Sequence, residues 1–160
     1  MTVRSCSLAD LPMSKLTELI SSDSATPGAG AAGALTLALA AACAGKAVSV
    51  SLKHSNESHL HLALDRFREL SRSALHEADD DAEAFAAWVG DRNADTADEL
   101  IESEERMARL IHALSKTIRD VEPFIRPNMR GDLTAAKSLM RAAKTIQTGN
   151  EAETKSENQR

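Results

Sequence analysis

Apolar residues recur every three or four positions along most of the chain, which is the spacing of one face of an α-helix. The pattern predicts five helices, at about residues 11–22, 31–53, 55–90, 95–122 and 132–149. The second range is apolar on nearly every side, which predicts a central Ala-rich helix surrounded by the others. Long helices joined by short loops favour an all-α fold, an up-and-down bundle of about five helices.

Capping and turn residues set the expected boundaries. Asp10 and Asp95 are expected to cap the first and fourth helices, and Pro123 to end the fourth. Residues 1–149 are then a single helical-bundle domain, and the polar run 150–160 is expected to be a disordered or frayed tail. Continuous apolar stripes on the third and fourth helices lead us to expect a homodimer.

Composition narrows the classes of partner. The chain has 160 residues, with 19 Lys plus Arg, 24 Asp plus Glu and a net charge of −5. Such a chain offers no broad basic surface, so nucleic acid is not expected as a partner. Aromatic residues are 2% of the chain, three Phe and one Trp, which argues against a stacking platform or an aromatic cage.

The apolar stretch 31–52 is long enough to cross a bilayer. It consists mostly of Ala, Gly and Ser and carries Lys46, so we expect a buried helix rather than a membrane span. The N-terminal sequence lacks the pattern of a secretory signal, so the expected location is the cytoplasm. Cys6 and Cys43 are expected to be reduced thiols there, with a disulfide as the alternative.

Two loops hold candidate site residues. Thr26, Pro27, Gly28 and Gly30 lead into the second helix, whose first N–H groups could bind an anion. A tight connection between two helices is the alternative. Asp132 is either the N-cap of the fifth helix or a carboxylate that faces a pocket.

Charged clusters give three more candidates. In the acidic run 79–83, Asp81 precedes Phe85 by four residues and could face a site from the edge of the buried stripe. A basic face of the fifth helix could bind phosphate or a polyanionic tail; it comprises Arg130, Lys137, Arg141 and Lys144. His54, Glu57 and His61 have a spacing that could hold a metal. For all three clusters an exposed, solvated surface is the alternative, and we expect no metal.

Three segments together resemble one family. They are ATPGAG at 25–30, DDDAEAF at 79–85, and Asp132 followed by two alanines at 135–136. Over about residues 15–150 the chain resembles the cyclodeaminase and methenyltetrahydrofolate cyclohydrolase family, which includes the deaminase part of formiminotransferase-cyclodeaminase. The resemblance implies a dimeric helical bundle and a tetrahydrofolate derivative as substrate, with no permanently bound cofactor.

The resemblance also implies roles for individual residues. Asp132 and Asp81 are the implied catalytic residues, because a carboxylate attracts the cationic methenyl carbon and takes a proton as water adds. The implied substrate-binding residues are Thr26, Pro27, Gly28, Gly30, Arg130, Lys137, Arg141 and Asn150. The basic face of the fifth helix would receive the glutamate tail of the folate.

The implied function is hydrolysis of 5,10-methenyltetrahydrofolate to 10-formyltetrahydrofolate. Cyclodeamination of formiminotetrahydrofolate comes second, because no formiminotransferase domain is attached. The alternative is a non-catalytic bundle that keeps the family fold and binds a ligand or a protein. It is favoured by departures from the family pattern, where Ala29, Ala31, Gly131, His54 and Ser55 stand in place of Gly, Ser, Ser, Lys and Tyr.

Overall fold

The computed structural model describes residues 7–55 and 57–157, which form a bundle of helices. The α-helices are α1 (Met13–Ile20), α2 (Ala29–Leu52), α3 (Ser58–Gly90), α4 (Ala94–Val121) and α5 (Arg130–Glu157). Short 3₁₀ turns lie at Leu8–Asp10, Glu122–Phe124 and Pro127–Met129. No strand occurs in the described ranges. The predicted all-α fold with five helices is confirmed.

The four long helices pack around one apolar core. α2 lies between α3 and α5, and α4 closes the bundle by packing against the same two helices. The largest buried apolar side chains include Leu37, Leu60, Phe67, Leu114 and Ile118. The short α1 buries Leu16 alone among its described residues. The expected homodimer stays a prediction.

Small residues on α2 bring its neighbours close. A Cβ placed on Gly33 would lie 3.1 Å from Ile146 Cγ2 of α5, and one on Gly45 would lie 3.4 Å from Phe67 Cβ of α3. The separation at Gly33 is tighter than an ordinary contact and the one at Gly45 is at its lower limit, so the helices approach each other closely at the glycines. The Ala-rich sequence of α2 is therefore a packing surface for two neighbouring helices.

The outer side of α2 departs from the prediction. Leu39 is 52% exposed, and Lys46 is exposed as well. α2 is therefore one corner of the bundle and not a central helix surrounded on all sides. It is also the one helix in residues 7–55 and 57–157 that is long and apolar enough to cross a membrane, and half of its apolar window is buried inside the bundle.

Two predicted caps are wrong. Asp10 ends a 3₁₀ turn, and α1 begins only after Pro12. α4 is capped by Asn93 instead of Asp95: the Thr96 backbone N–H donates to Asn93 Oδ1 at 3.0 Å, and the Asn93 N–H donates to Thr96 Oγ1 at 3.3 Å. This reciprocal pair satisfies two backbone donors at once, which a single aspartate at position 95 would not.

The last helix is longer than predicted. α5 continues through Gly149 to residue 157, where the sequence predicts a polar tail from 150. Thr154 Oγ1 donates to Glu104 Oε1 at 2.6 Å, and Gln147 Nε2 donates to the Glu104 carbonyl at 2.8 Å. Buried hydrogen bonds to α4 thus offset the cost of about 1 kcal/mol for a helical glycine. The expectation of a disordered or frayed tail is therefore wrong for residues 150–157. Residues 158–160 lie outside the described residues.

Two glycine substitutions test this packing. Gly33→Val is expected to lower the free energy of unfolding by about 1–3 kcal/mol, because the added methyl groups collide with Ile146. Gly149→Ala is the control, since no described atom beyond its own helical turns lies within 4 Å of the added Cβ. It should raise stability by about 0.5–1 kcal/mol through helix propensity. Urea unfolding followed by circular dichroism measures both; a destabilised Gly149→Ala protein would contradict a continuous α5.

Candidate functional site

One end of the bundle holds a cavity of about 260 Å³, which we call the site cavity. The loop before α2, one face of α3, the start of α4 and the last turns of α5 surround it. Its lining residues are Ala25, Thr26, Gly28, Ala29, Gly30, Asp81, Phe85, Trp88, Leu100, Asn150, Glu153 and Thr154. The structure therefore brings together Asp81, Asn150 and most of the predicted loop residues.

The loop before α2 leaves the start of that helix without a cap of its own. Gly28 occupies the N-cap position in an extended conformation, with φ −117° and ψ −150°, and has no side chain to accept a hydrogen bond. The first N–H groups of a helix need an acceptor, so one must come from elsewhere in the fold. Pro27 is buried and lines a neighbouring cavity with Ser7 and Leu8.

Asp81 on α3 supplies that acceptor. The Ala31 backbone N–H donates to its carboxylate, and a Cβ on Gly30 would overlap all three carboxyl atoms. Burial, followed by the negative charge of Glu77, raises the pKa of Asp81 from 3.8 to about 6, while the hydrogen bond from Ala31 lowers it. The carboxyl therefore exists in both protonation states close to neutral pH.

The three consecutive aspartates have different surroundings. Asp79 accepts hydrogen bonds from Ser7 Oγ at 2.6 Å and from the Leu8 N–H at 2.8 Å, which holds the N-terminal segment against α3. Asp80 is exposed and forms a long ion pair with α4. Asp81 alone of the three lines the site cavity. The helical rotation of 100° per residue separates these side chains.

Two buried carboxylates lie behind Asp81. Glu77 precedes it by four residues and accepts a hydrogen bond from Arg106 Nε at 2.9 Å. Glu104 accepts one from Thr154 Oγ1, and burial raises the pKa of Glu104. Both glutamates also raise the pKa of Asp81 through their negative charge. The electrostatic potential of this end of the bundle favours a cationic group in the cavity.

Phe85, Trp88 and Leu100 form an apolar part of the lining. The Phe85 and Trp88 ring centroids lie 5.8 Å apart, and the Arg92 guanidinium lies 4.2 Å from the Trp88 centroid. Low aromatic content argues against a stacking platform or an aromatic cage, yet two of the four aromatic side chains meet in the lining of one cavity. Their spacing of four and seven residues after Asp81 on one helical face could have revealed it.

Asp132 lies at the other end of α2. It is in the first turn of α5, which begins two residues before it, and is not the N-cap. Its Oδ1 lies 3.3 Å from Lys46 Nζ. Lys46 is about 24 Å further along α2 than Gly30, at about 1.5 Å per residue. The structure therefore does not bring the two predicted catalytic aspartates into one pocket.

The predicted basic residues of α5 also lie elsewhere. Lys137 forms an ion pair with Glu122, and Arg141 Nε donates to the Lys137 carbonyl at 3.2 Å. Arg141 and Lys144 line a separate groove between α4 and α5, and Arg130 begins the helix far from its C-terminal turns. In the described part of the chain, none of these four lines the site cavity.

The candidate metal ligands do not converge. His54 lies in the turn after α2, Glu57 immediately precedes α3, and His61 lies in its first turn. Residues 7–55 and 57–157 contain no group of three His, Cys, Asp or Glu side chains placed to hold a metal ion. Cys43 carries a free thiol on α2, and Cys6 lies outside the described residues.

A family model and a solved structure match this chain. No curated protein sequence matches it. A solved structure of formiminotetrahydrofolate cyclodeaminase from Thermotoga maritima shares its fold with a TM-score of 0.87 at 18% identity, covering 94% of this chain and 81% of that one. The sequence model of the family described as formiminotransferase-cyclodeaminase matches residues 12–150. Since that match spans most of the chain, the protein belongs to the formiminotransferase-cyclodeaminase family.

Proposed function

We propose that the protein is a folate enzyme that acts on the one-carbon group between N5 and N10 of tetrahydrofolate, with Asp81 as the proton-transfer group. Family membership supports a folate substrate. The observation that carries the choice of residue is the Asp81 carboxyl, which lines the site cavity and has a pKa of about 6. The proposal includes a cytoplasmic homodimer that needs no resident cofactor.

Cyclodeamination is the reaction we place first. N10 attacks the carbon of the protonated formimino group, N5–CH=NH2⁺, and the nitrogen of that group leaves as ammonia. The attacking N10 loses one proton and the departing nitrogen gains one, so the positive charge is conserved and the products are the 5,10-methenyltetrahydrofolate cation and ammonia. A carboxyl with a pKa near the working pH can accept the first proton and return it to the leaving group.

Hydrolysis of the methenyl bridge is the second candidate, favoured by the same carboxyl. Water adds to the cationic carbon and gives a proton to the Asp81 carboxylate. That proton then passes to N5 as the carbon–N5 bond breaks, and the hydroxyl group on the carbon loses its proton to solvent, which leaves 10-formyltetrahydrofolate and one released proton. The sequence ranks hydrolysis first; the family description and the name of the solved structure support cyclodeamination instead.

The cavity suits a flat ring that carries a positive charge. Asp81 and Glu153 line it, and the negative charge of Glu77 lies behind. Phe85 and Trp88 supply apolar ring surface against which a pterin can pack. This combination suits the delocalised cation of the methenyl product.

Departures from the family pattern affect the site only in part. Ala29 lines the site cavity, where it contributes a methyl group. Ala31 is fully buried and contributes its backbone N–H, which any side chain at that position would leave in place. His54 and Ser55 follow α2 at its far end, and Gly131 lies in the first turn of α5. Three of the five departures are therefore distant from Asp81.

Matched aspartate variants test the assignment. Asp81→Asn is expected to lower kcat/KM by about 10²- to 10⁴-fold, as for loss of a general acid–base group. Asp132→Asn is expected to stay within about threefold of the wild type, since its carboxylate pairs with Lys46 far from the cavity. The methenyltetrahydrofolate absorption band, which rises in cyclodeamination and decays in hydrolysis, measures both reactions after subtraction of the uncatalysed rates.

The outcomes separate the hypotheses. Loss of activity in Asp132→Asn with full activity in Asp81→Asn would overturn the choice of site. Folate binding without turnover in the wild type would identify the non-catalytic alternative. Absence of both binding and turnover would show that the protein keeps the family fold without the folate substrate.

A glycine pair tests the contact between α2 and the carboxyl. Gly30→Ala is expected to displace the Asp81 carboxyl, because the new Cβ overlaps it, and to lower kcat/KM at least about tenfold. Gly131→Ala is the control: it lies in the first turn of α5, outside the lining of the site cavity, and its Cβ would meet no described atom within 4 Å beyond its own helical turn. Both variants should unfold cooperatively by circular dichroism. Equal activity in the two would contradict the requirement for glycine at position 30.

The raised pKa of Asp81 also predicts an effect on stability. Between pH 3.8 and about 6 the folded protein binds this proton more tightly than the unfolded chain, so the free energy of unfolding falls as pH rises through that window. Asp81→Asn removes the ionisation, so the variant should be more stable than the wild type by up to about 3 kcal/mol at pH 7.5. Most of this advantage should be lost at pH 4, where the wild-type carboxyl is largely protonated in the folded protein. Urea unfolding at both pH values measures the difference, and an advantage of equal size at both would contradict it.

A further inference from the structure

Glu77 is a buried charge that core packing does not require. The residue is 4% exposed. Ser103 Oγ donates to its Oε1 at 2.6 Å, and Arg106 Nε donates to its Oε2 at 2.9 Å. A buried ion pair is often no more stabilising than apolar side chains of similar volume. The presence of a glutamate at this position therefore needs another explanation.

The position of Glu77 on α3 offers an explanation for this buried charge. It precedes Asp81 by four residues, so the two carboxyl groups lie on the same helical face, one turn apart. Like charges at this spacing repel, and the repulsion is stronger where water is excluded. The hydrogen bonds from Ser103 and Arg106 hold the Glu77 carboxylate in place, so it cannot turn away to relieve the repulsion.

We propose that Glu77 is a positioning residue of the site: its carboxylate, held by Ser103 and Arg106, places a fixed and buried negative charge one helical turn from Asp81. Glu77 does not line the site cavity, so it acts through Asp81 and not on the substrate. The inference rests on the proposed function only for the use of the Asp81 proton in catalysis. The ion pair across α3 and α4 thus helps to set the protonation of a group in the cavity.

Other groups that face Asp81 act alongside this charge. Glu104 on α4 raises the pKa of Asp81 as well, and Glu153 on α5 lines the same cavity. The Ala31 N–H at the start of α2 acts in the opposite direction by bonding the carboxylate. Burial has the largest effect of all. Removal of the Glu77 charge should therefore lower the pKa of Asp81 without returning it to 3.8.

The test is a direct titration of Asp81 in the intact protein. Glu77→Gln removes the charge and keeps the size of the side chain, whereas Ser103→Ala removes a hydrogen bond from the same carboxylate and keeps its charge. Protein labelled with ¹³C-aspartate reports the pKa through the Asp81 Cγ chemical shift, assigned with Asp81→Asn. We expect Glu77→Gln to lower the pKa by about 0.5 to 1 and Ser103→Ala to change it by less than about 0.2.

Two results would overturn the proposal: an unchanged pKa in Glu77→Gln, or an equal fall in Ser103→Ala, which would indicate a merely structural role. If Glu77→Gln does not fold, Glu77→Met combined with Arg106→Met replaces the whole pair by apolar side chains, and a smaller fall is expected because the positive charge of Arg106 is lost as well. The titration uses no substrate, so it decides the role of Glu77 even if the wild type shows no folate turnover. Where turnover occurs, kcat/KM can be measured as a function of pH. The part of that profile that reports ionisation of Asp81 should move to lower pH by the same amount in Glu77→Gln.

Discussion

The start of α2 lies directly against a carboxyl group of α3, and the geometry of the site depends on this contact. Gly30 permits it because it has no side chain, and Asp81 then accepts the Ala31 N–H that Gly28 leaves without a cap. A partly buried carboxylate is stabilised there by the positive end of the helix dipole. The same contact thus ends a loop, begins a helix and fixes the group that we propose to transfer protons.

Buried polar groups are concentrated near that contact. Glu77 and Glu104 lie close to it, whereas the core further along the bundle is built mainly from Ala, Leu and Ile, with Ser51 a polar exception that accepts the Arg126 N–H. Each buried carboxylate is compensated by hydrogen bonds from a neighbouring helix. Uneven placement of this kind is typical of a fold in which one end is optimised for chemistry and the rest for packing.

Hydrophobic periodicity was sufficient to predict the helices and, through Phe85, to place Asp81 at the edge of the buried stripe. It failed where structure depends on side-chain hydrogen bonds between distant segments. Glu153 and Thr154 carry no apolar signal, so the segment that provides one wall of the cavity was expected to be a tail. Asp132 matches a capping pattern, but the pattern does not show which end of a neighbouring helix it will meet. Leu100 lines the site cavity because α4 packs beside α3, and no local sequence pattern predicts which helices become neighbours.

The aromatic lining has an optical consequence. The chain has one tryptophan and no tyrosine, and that tryptophan, Trp88, lies in the wall of the site cavity beneath the Arg92 guanidinium. The intrinsic fluorescence of the folded protein therefore comes from a single emitter at the proposed binding site. Occupancy of the cavity by a pterin, which absorbs in the range where indole emits, would be visible in the emission of the unlabelled protein.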